Sequence, residues 1–203
     1  YYNLLEILTH IRHSEKVFNM KRLLLILILT FSFQTLTKAD DISDFEIEGI
    51  SIGDSLLDYF SKDEIKSKKF FFKAQKENKK YASLTVDKNL KIFKKITINF
   101  LNINHEIGAM SAFVNIKNFN ECEKKRKIIV KDIASLFLNT ENESYIRSHF
   151  LDKGTNISTT LWKLKDGFVR VACYDWSIES GFPLELRIDT ANNKYANFLD
   201  TLK

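Results

Sequence analysis

The feature that most constrains the fold is a pair of β-patterned stretches, residues 81–116 and 159–189, separated by a segment of helical periodicity. Residues 81–86, 93–101 and 106–116 are rich in Ile, Val, Phe, Thr and Tyr, and two polar breaks, Asp87-Lys88-Asn89 and Asn102-Ile103-Asn104-His105, separate them. In the middle run Lys94, Ile96, Ile98 and Phe100 fall on one pleat face, and Phe93, Lys95, Thr97 and Asn99 on the other. That alternation predicts an antiparallel meander with one face covered. In the second stretch, residues 159–165 and 168–177 flank Asp166-Gly167, a pair suited to the positive φ of a tight hairpin turn. Val169, Val171 and Cys173 share a face, and residues 184–189 read as a further strand beyond the Gly181-Phe182-Pro183 break.

The segments around these strands read as helices. Asp54 is placed to cap a first helix after a turn at Gly53, with Leu56, Leu57, Phe60 and Ile65 at helical spacing. Asn118 or Asn120 caps a second helix running to about Leu138, with Cys122, Ile129, Ile133 and Leu136 or Phe137 on one side and Lys124, Lys127 and Lys131 on the other. Residues 192–202 form a terminal helix with Tyr195, Phe198, Leu199 and Leu202 on its apolar side, and residues 139–160 read as a long polar connection. The expected architecture is α+β, an antiparallel sheet with helices on one face in the order α-β-β-β-α-β-β-β-α. Its two halves suggest a tandem repeat.

Ahead of this region lies a secretory pattern. Met20-Lys21-Arg22 is a positive n-region, residues 23–33 are apolar apart from Thr30 and Ser32, and Thr37-Lys38-Ala39 offers a small residue for cleavage before Asp40. The apolar run is shorter than the roughly 20 residues needed to cross a bilayer. The expectation is a signal peptide over residues 20–39, with an uncleaved anchor at residues 23–33 as the alternative. Residues 1–19 precede that methionine and are treated as a non-native or untranslated extension. Residues 40–203 are then one exported domain, periplasmic or secreted.

Charge narrows the partners. The formal charge is +5, but residues 1–39 supply a surplus of three, which leaves a nearly neutral domain without the clustered basic footprint of a nucleic-acid binder. Phe70, Phe71 and Phe72 sit inside a lysine cluster and suggest a membrane-surface contact. Heavy use of Lys, Ile, Asn and Phe is expected of an AT-rich genome, where lysine clusters carry less functional meaning.

Cys122 and Cys173 are the two cysteines, with no C-x-x-C. In an oxidising compartment such a pair favours a disulfide over a zinc site, which wants about four ligands. No metal site and no cofactor is assigned.

The helix start Ile50-Ser51-Ile52-Gly53-Asp54-Ser55-Leu56 resembles the I-x-G-x-S pattern of BamE/OmlA-like envelope proteins, from which the chain departs in lacking a lipobox cysteine and in its larger β portion. Phe119-Asn120-Glu121-Cys122, residues 127–137 and Val171-Ala172-Cys173-Tyr174-Asp175-Trp176-Ser177 resemble a group of small exported proteins of AT-rich marine bacteria. That likeness implies an envelope compartment and a two-cysteine core, and no activity.

His105 and His149 are the histidines beyond Ala39, each in an expected loop, and no G-x-S-x-G is present. Tyr174, Asp175 and Trp176 are the candidate ligand-binding residues, because aromatic faces stack on ligands while a carboxylate fixes orientation. The expected function is a non-catalytic periplasmic binding or interaction module. The alternative is a periplasmic hydrolase using Asp175 with a distant partner such as Glu185 or His149.

Overall fold

A computed structural model describes residues 41–72, 78–114, 116–149 and 152–202. Residues 1–19, residues 20–39, where a signal peptide is expected, and the Lys73 and Lys76 part of the lysine cluster lie outside the described residues. The elements are β1 (Glu46–Ile47), β2 (Ile50–Ser51), α1 (Lys62–Lys68), β3 (Tyr81–Val86), β4 (Lys95–Leu101), β5 (Ile107–Val114), α2 (Phe119–Leu136), β6 (Asn142–Ser148), β7 (Asn156–Lys163), β8 (Gly167–Asp175), β9 (Glu185–Asn192) and α3 (Asn193–Asp200). β1 and β2 pair by themselves, and the other strands form one sheet in the order β3-β4-β5-β9-β8-β7-β6, antiparallel at every junction. The fold is α+β. Two meanders, β3 to β5 and β6 to β9, meet where β9 pairs with β5. They carry three strands and four, and no repeat is shown.

Strand β6 falls in the segment expected to be a polar connection. It is an edge strand whose side chains are exposed except for the half-buried Tyr145, so no apolar alternation marks it. The first helix also differs from expectation. Asp54 caps nothing; its carboxylate accepts the amide of Ser51 at 2.9 Å and the Tyr59 hydroxyl. Ser55 caps a single 3-10 turn, Leu56–Asp58. Helix α1 starts afresh at Ser61, whose side chain accepts from the Glu64 amide while the Glu64 carboxylate accepts the Ser61 amide, a complete capping box. Residues 50–56 therefore run from β2 into the start of the 3-10 turn.

One face of the sheet carries the main core. Leu84, Ile96, Ile98, Phe100, Met110, Val171 and Leu186 are fully or almost fully buried there. Each such side chain contributes roughly 1.5–3 kcal/mol of burial free energy. The expected face of β4, Ile96, Ile98 and Phe100, is the one buried. Ile107 and Met110 both reach this core, although their spacing in a regular strand puts them on opposite faces. A bulge between Asn99 and Phe100 of β4 sets Ala109 against Asn99 and Ile107 against Phe100, leaving Gly108 as the extra residue. A Cβ on Gly108 lies 2.9 Å from the Tyr81 ring, so the bulge needs glycine.

Helix α2 lies over β8 and β9 on this face. Asn118 caps it by accepting the Glu121 amide at 2.9 Å. A disulfide joins Cys122 of α2 to Cys173 of β8, with Cα atoms 6.0 Å apart and both residues fully buried. Phe45 and Phe137, with ring centroids 5.9 Å apart, close the core where the N-terminal segment meets the end of α2.

The expectation of helices on one face does not extend to α3. Tyr195 and Phe198 of α3 pack with Tyr81, Ala109 and Ala191, which point away from the main core. The tight passage from β9 into α3, with Asn192 as its cap, swings the helix to the opposite side. Gly167 serves this junction: a Cβ there lies 2.3 Å from the Ala191 carbonyl oxygen. Close approach, and not the expected positive φ, is the reason for glycine at that position. No described helix is long and apolar enough to cross a membrane.

Candidate functional site

Helix α3 covers only part of the second face, and what it leaves open is built by β6 to β9. The register sets Arg147, Ile157, Tyr174 and Glu185 in one cross-strand row. Tyr145, Thr159, Ala172 and Arg187 form the next row, and Glu143, Leu161, Arg170 and Asp189 a third. Phe168 and Ala191 stand in a fourth row, beside α3. Directly opposed residues share a face, so these side chains all project from the same side.

A cleft of about 700 Å³ runs along these rows. Arg147, His149, Ile157 and Tyr174 line one end, and Phe168 with Ala196, Leu199 and Asp200 of α3 the other. Arg170 and Arg187 lie between them on the sheet. The volume falls in the range of small-molecule sites, roughly 300–1,000 Å³.

The two inner arginines are held by carboxylates. Arg170 donates to Asp189 at 2.8 and 3.1 Å, and Asp189, almost fully buried, also accepts the Ser111 hydroxyl at 2.6 Å. Burial opposes the charge on Arg170, but Asp189 outweighs it and holds the guanidinium above its ordinary pKa. Arg187 donates to Glu185 at 2.9 Å and lies 4.3 Å from the Tyr174 ring centroid and 4.9 Å from that of Phe113. Burial likewise opposes its charge, and Asp189 and Glu185 restore it. Arg147 is exposed, lies 5.6 Å from the Tyr145 ring centroid and makes no ion pair with a described carboxylate. Burial lowers the His149 pKa, Asp152 partly restores it, and Arg187 and Arg147 depress it further, so the imidazole is neutral at neutral pH. Burial and Asp189 push the Tyr174 hydroxyl up.

Two buried polar atoms in the second row, Thr159 Oγ1 and Arg187 Nε, have no hydrogen-bond partner among the described residues. Buried polar groups are nearly always satisfied; Trp162 Nε1, Trp176 Nε1 and Thr190 Oγ1, outside this row, also lack a partner among the described residues.

Of the three residues marked by the sequence, Tyr174 and Trp176 stay together and Asp175 turns away from Tyr174. Tyr174 is buried in the cleft wall. Trp176 stacks on it at 5.4 Å and 18°, and also meets His149 and Phe182, each at 5.1 Å. Asp175, the exposed last residue of β8, points to the other face from Tyr174. Glu185 stands directly opposite Tyr174, so Asp175 and Glu185 lie on opposite faces, and Glu185 is engaged by Arg187. His105 adopts φ 63° and stacks on Phe100 at 5.9 Å, remote in chain position from the cleft strands. Of the phenylalanine triplet, Phe71 packs on the main core, Phe70 pairs with Ser83 of β3, and Phe72 is exposed.

Sequence reasoning passed over Arg147, Arg170 and Arg187. A usable signal lay in β8 and β9, where Arg170 stands between Val169 and Val171, and Arg187 and Asp189 alternate with Leu186 and Ile188. Among the described residues no group of His, Cys, Asp and Glu is arranged to hold a metal ion. Comparison with protein-family models gives no match, and comparisons with curated proteins and with solved structures give none.

Proposed function

We propose that the chain is an exported, non-catalytic binding module whose ligand lies in the cleft of β6 to β9. The observation that carries this reading is the construction of the cleft. Guanidinium groups and an aromatic wall stand on the sheet, and Arg170 and Arg187 are oriented by carboxylates beside them. Catalysis needs an acid or base with an orienting partner in reach. Asp189 and Glu185 are occupied in holding arginines, and the Asp175–Glu185 combination spans the two faces of the sheet.

Export is supported by the pattern of residues 20–39 and by the Cys122–Cys173 disulfide, which suits an oxidising compartment such as the periplasm. N-terminal sequencing of the exported protein is expected to begin at Asp40; a species retaining residues 23–33 contradicts cleavage. For binding, a crystallographic fragment screen of the disulfide-intact protein tests the reading. Hits concentrated between Arg147 and Leu199 are expected, and hits scattered elsewhere with none in the cleft overturn it.

A further inference from the structure

The cleft is polarised along its length. The row holding Tyr174 and the row holding Phe168 are six residues apart on β8, about 20 Å at the rise of an extended strand. At the Tyr174 end stands Arg147, whose charge meets no described carboxylate, and the orphaned Nε of Arg187 lies one row away. At the Phe168 end the walls are Phe168, Ala196 and Leu199, with the acidic Asp200 beside them. Arg170 and Arg187 are already matched by Asp189 and Glu185, so the charge left for a ligand is essentially the one on Arg147.

We propose that the ligand is an amphipathic carboxylate, its carboxylate held at the Arg147 end and its elongated apolar body running along the cleft towards Phe168 and Leu199. This rests on the cleft being a binding site. A single unpaired guanidinium suits a single negative charge, and its planar fork matches a carboxylate in bidentate contact. An apolar body of extended form buries Phe168 and Leu199, which is 40% exposed. The orientation is therefore fixed from both ends.

The test uses dansyl-labelled undecanoate and its uncharged carboxamide, each titrated into the disulfide-intact protein and followed by the blue shift of dansyl emission. The expected result is that the carboxylate binds about tenfold more tightly than the carboxamide, the gain of one charge-assisted contact. Arg147→Met, at an exposed edge position, is expected to abolish that difference without lowering Tm. Leu199→Glu is expected to weaken both probes. Equal binding of carboxylate and carboxamide, each displaced by a cleft fragment, overturns the ligand class and leaves the cleft as a binding site. If neither probe binds a protein of unchanged Tm, the ligand class again falls, and the fragment screen then decides whether the binding reading falls with it.

Discussion

Arg170 and Asp189 stand directly opposite each other across the β8–β9 junction and meet in an ion pair at 2.8 Å. The pair sits at the floor of the cleft, and Ser111 of β5 ties it to the third strand of the central sheet. Removing the carboxylate leaves a largely buried guanidinium without its partner. Asp189→Asn is expected to cost about 3 kcal/mol in urea unfolding, since breaking a buried pair from one side leaves an uncompensated charge. The double replacement Arg170→Leu/Asp189→Leu is expected to recover most of that loss. A double variant as unstable as the single one contradicts this account of the pair.

The disulfide closes a loop with a sequence separation of 51. The chain-entropy model gives such a cross-link about 4 kcal/mol, an upper figure because residual structure in the unfolded chain reduces it. Reduction, or Cys173→Ser, is expected to lower the urea midpoint and Tm together. A reduced protein with unchanged Tm contradicts a structural role for the bond.

Gly167 has no room for a side chain, because the obstructing atom is the backbone oxygen of Ala191 and cannot rotate away. Gly167→Ala is expected to destabilise by about 1–3 kcal/mol, the range of overpacked sites. Gly49, in the β1–β2 turn at φ 79° with open space around it, supplies the contrast. Alanine there meets backbone strain and no clash, so proteolysis or hydrogen exchange is expected to register the change near β1 alone.

His149 titrates below the ordinary histidine value of 6.5 because burial, together with Arg187 and Arg147, disfavours its proton. The unfolded chain then takes up the proton first as pH falls. The stability contributed by the neutral imidazole is present in full above about pH 6.5 and is lost as pH drops from there through the lower folded value. NMR titration is expected to place His149 below 6.5, and Arg147→Gln to move it upward. A His149 that titrates above 6.5 contradicts the cationic surroundings assigned to the cleft.

The sequence made the sheet legible wherever a strand has one buried face. The alternation of Ile96, Ile98 and Phe100 marked β4, and Cys122 and Cys173 declared their shared core through the apolar residues around each. β6 was illegible because an exposed edge strand has no apolar period to read. The side taken by α3 was hidden for another reason: Tyr195 and Phe198 form an ordinary apolar stripe, and which face of the sheet it meets depends on the β9–α3 junction. The cleft was half legible. Tyr174 was marked by its aromatic neighbourhood, whereas Arg147, Arg170 and Arg187 come from three strands, and only the register of β6 to β9 brings them together.

The assignment of the cleft to an amphipathic carboxylate is tested most directly by NMR of the nitrogen-labelled, disulfide-intact protein titrated with dodecanoate. The account predicts that the amides of Arg147, Ile157, Tyr174 and Arg187 shift together with those of Phe168 and Leu199, saturating on one binding curve. Shifts confined to the remote exposed apolar residues Ile103 and Leu138, or no saturable shift at all in the folded protein, contradict it.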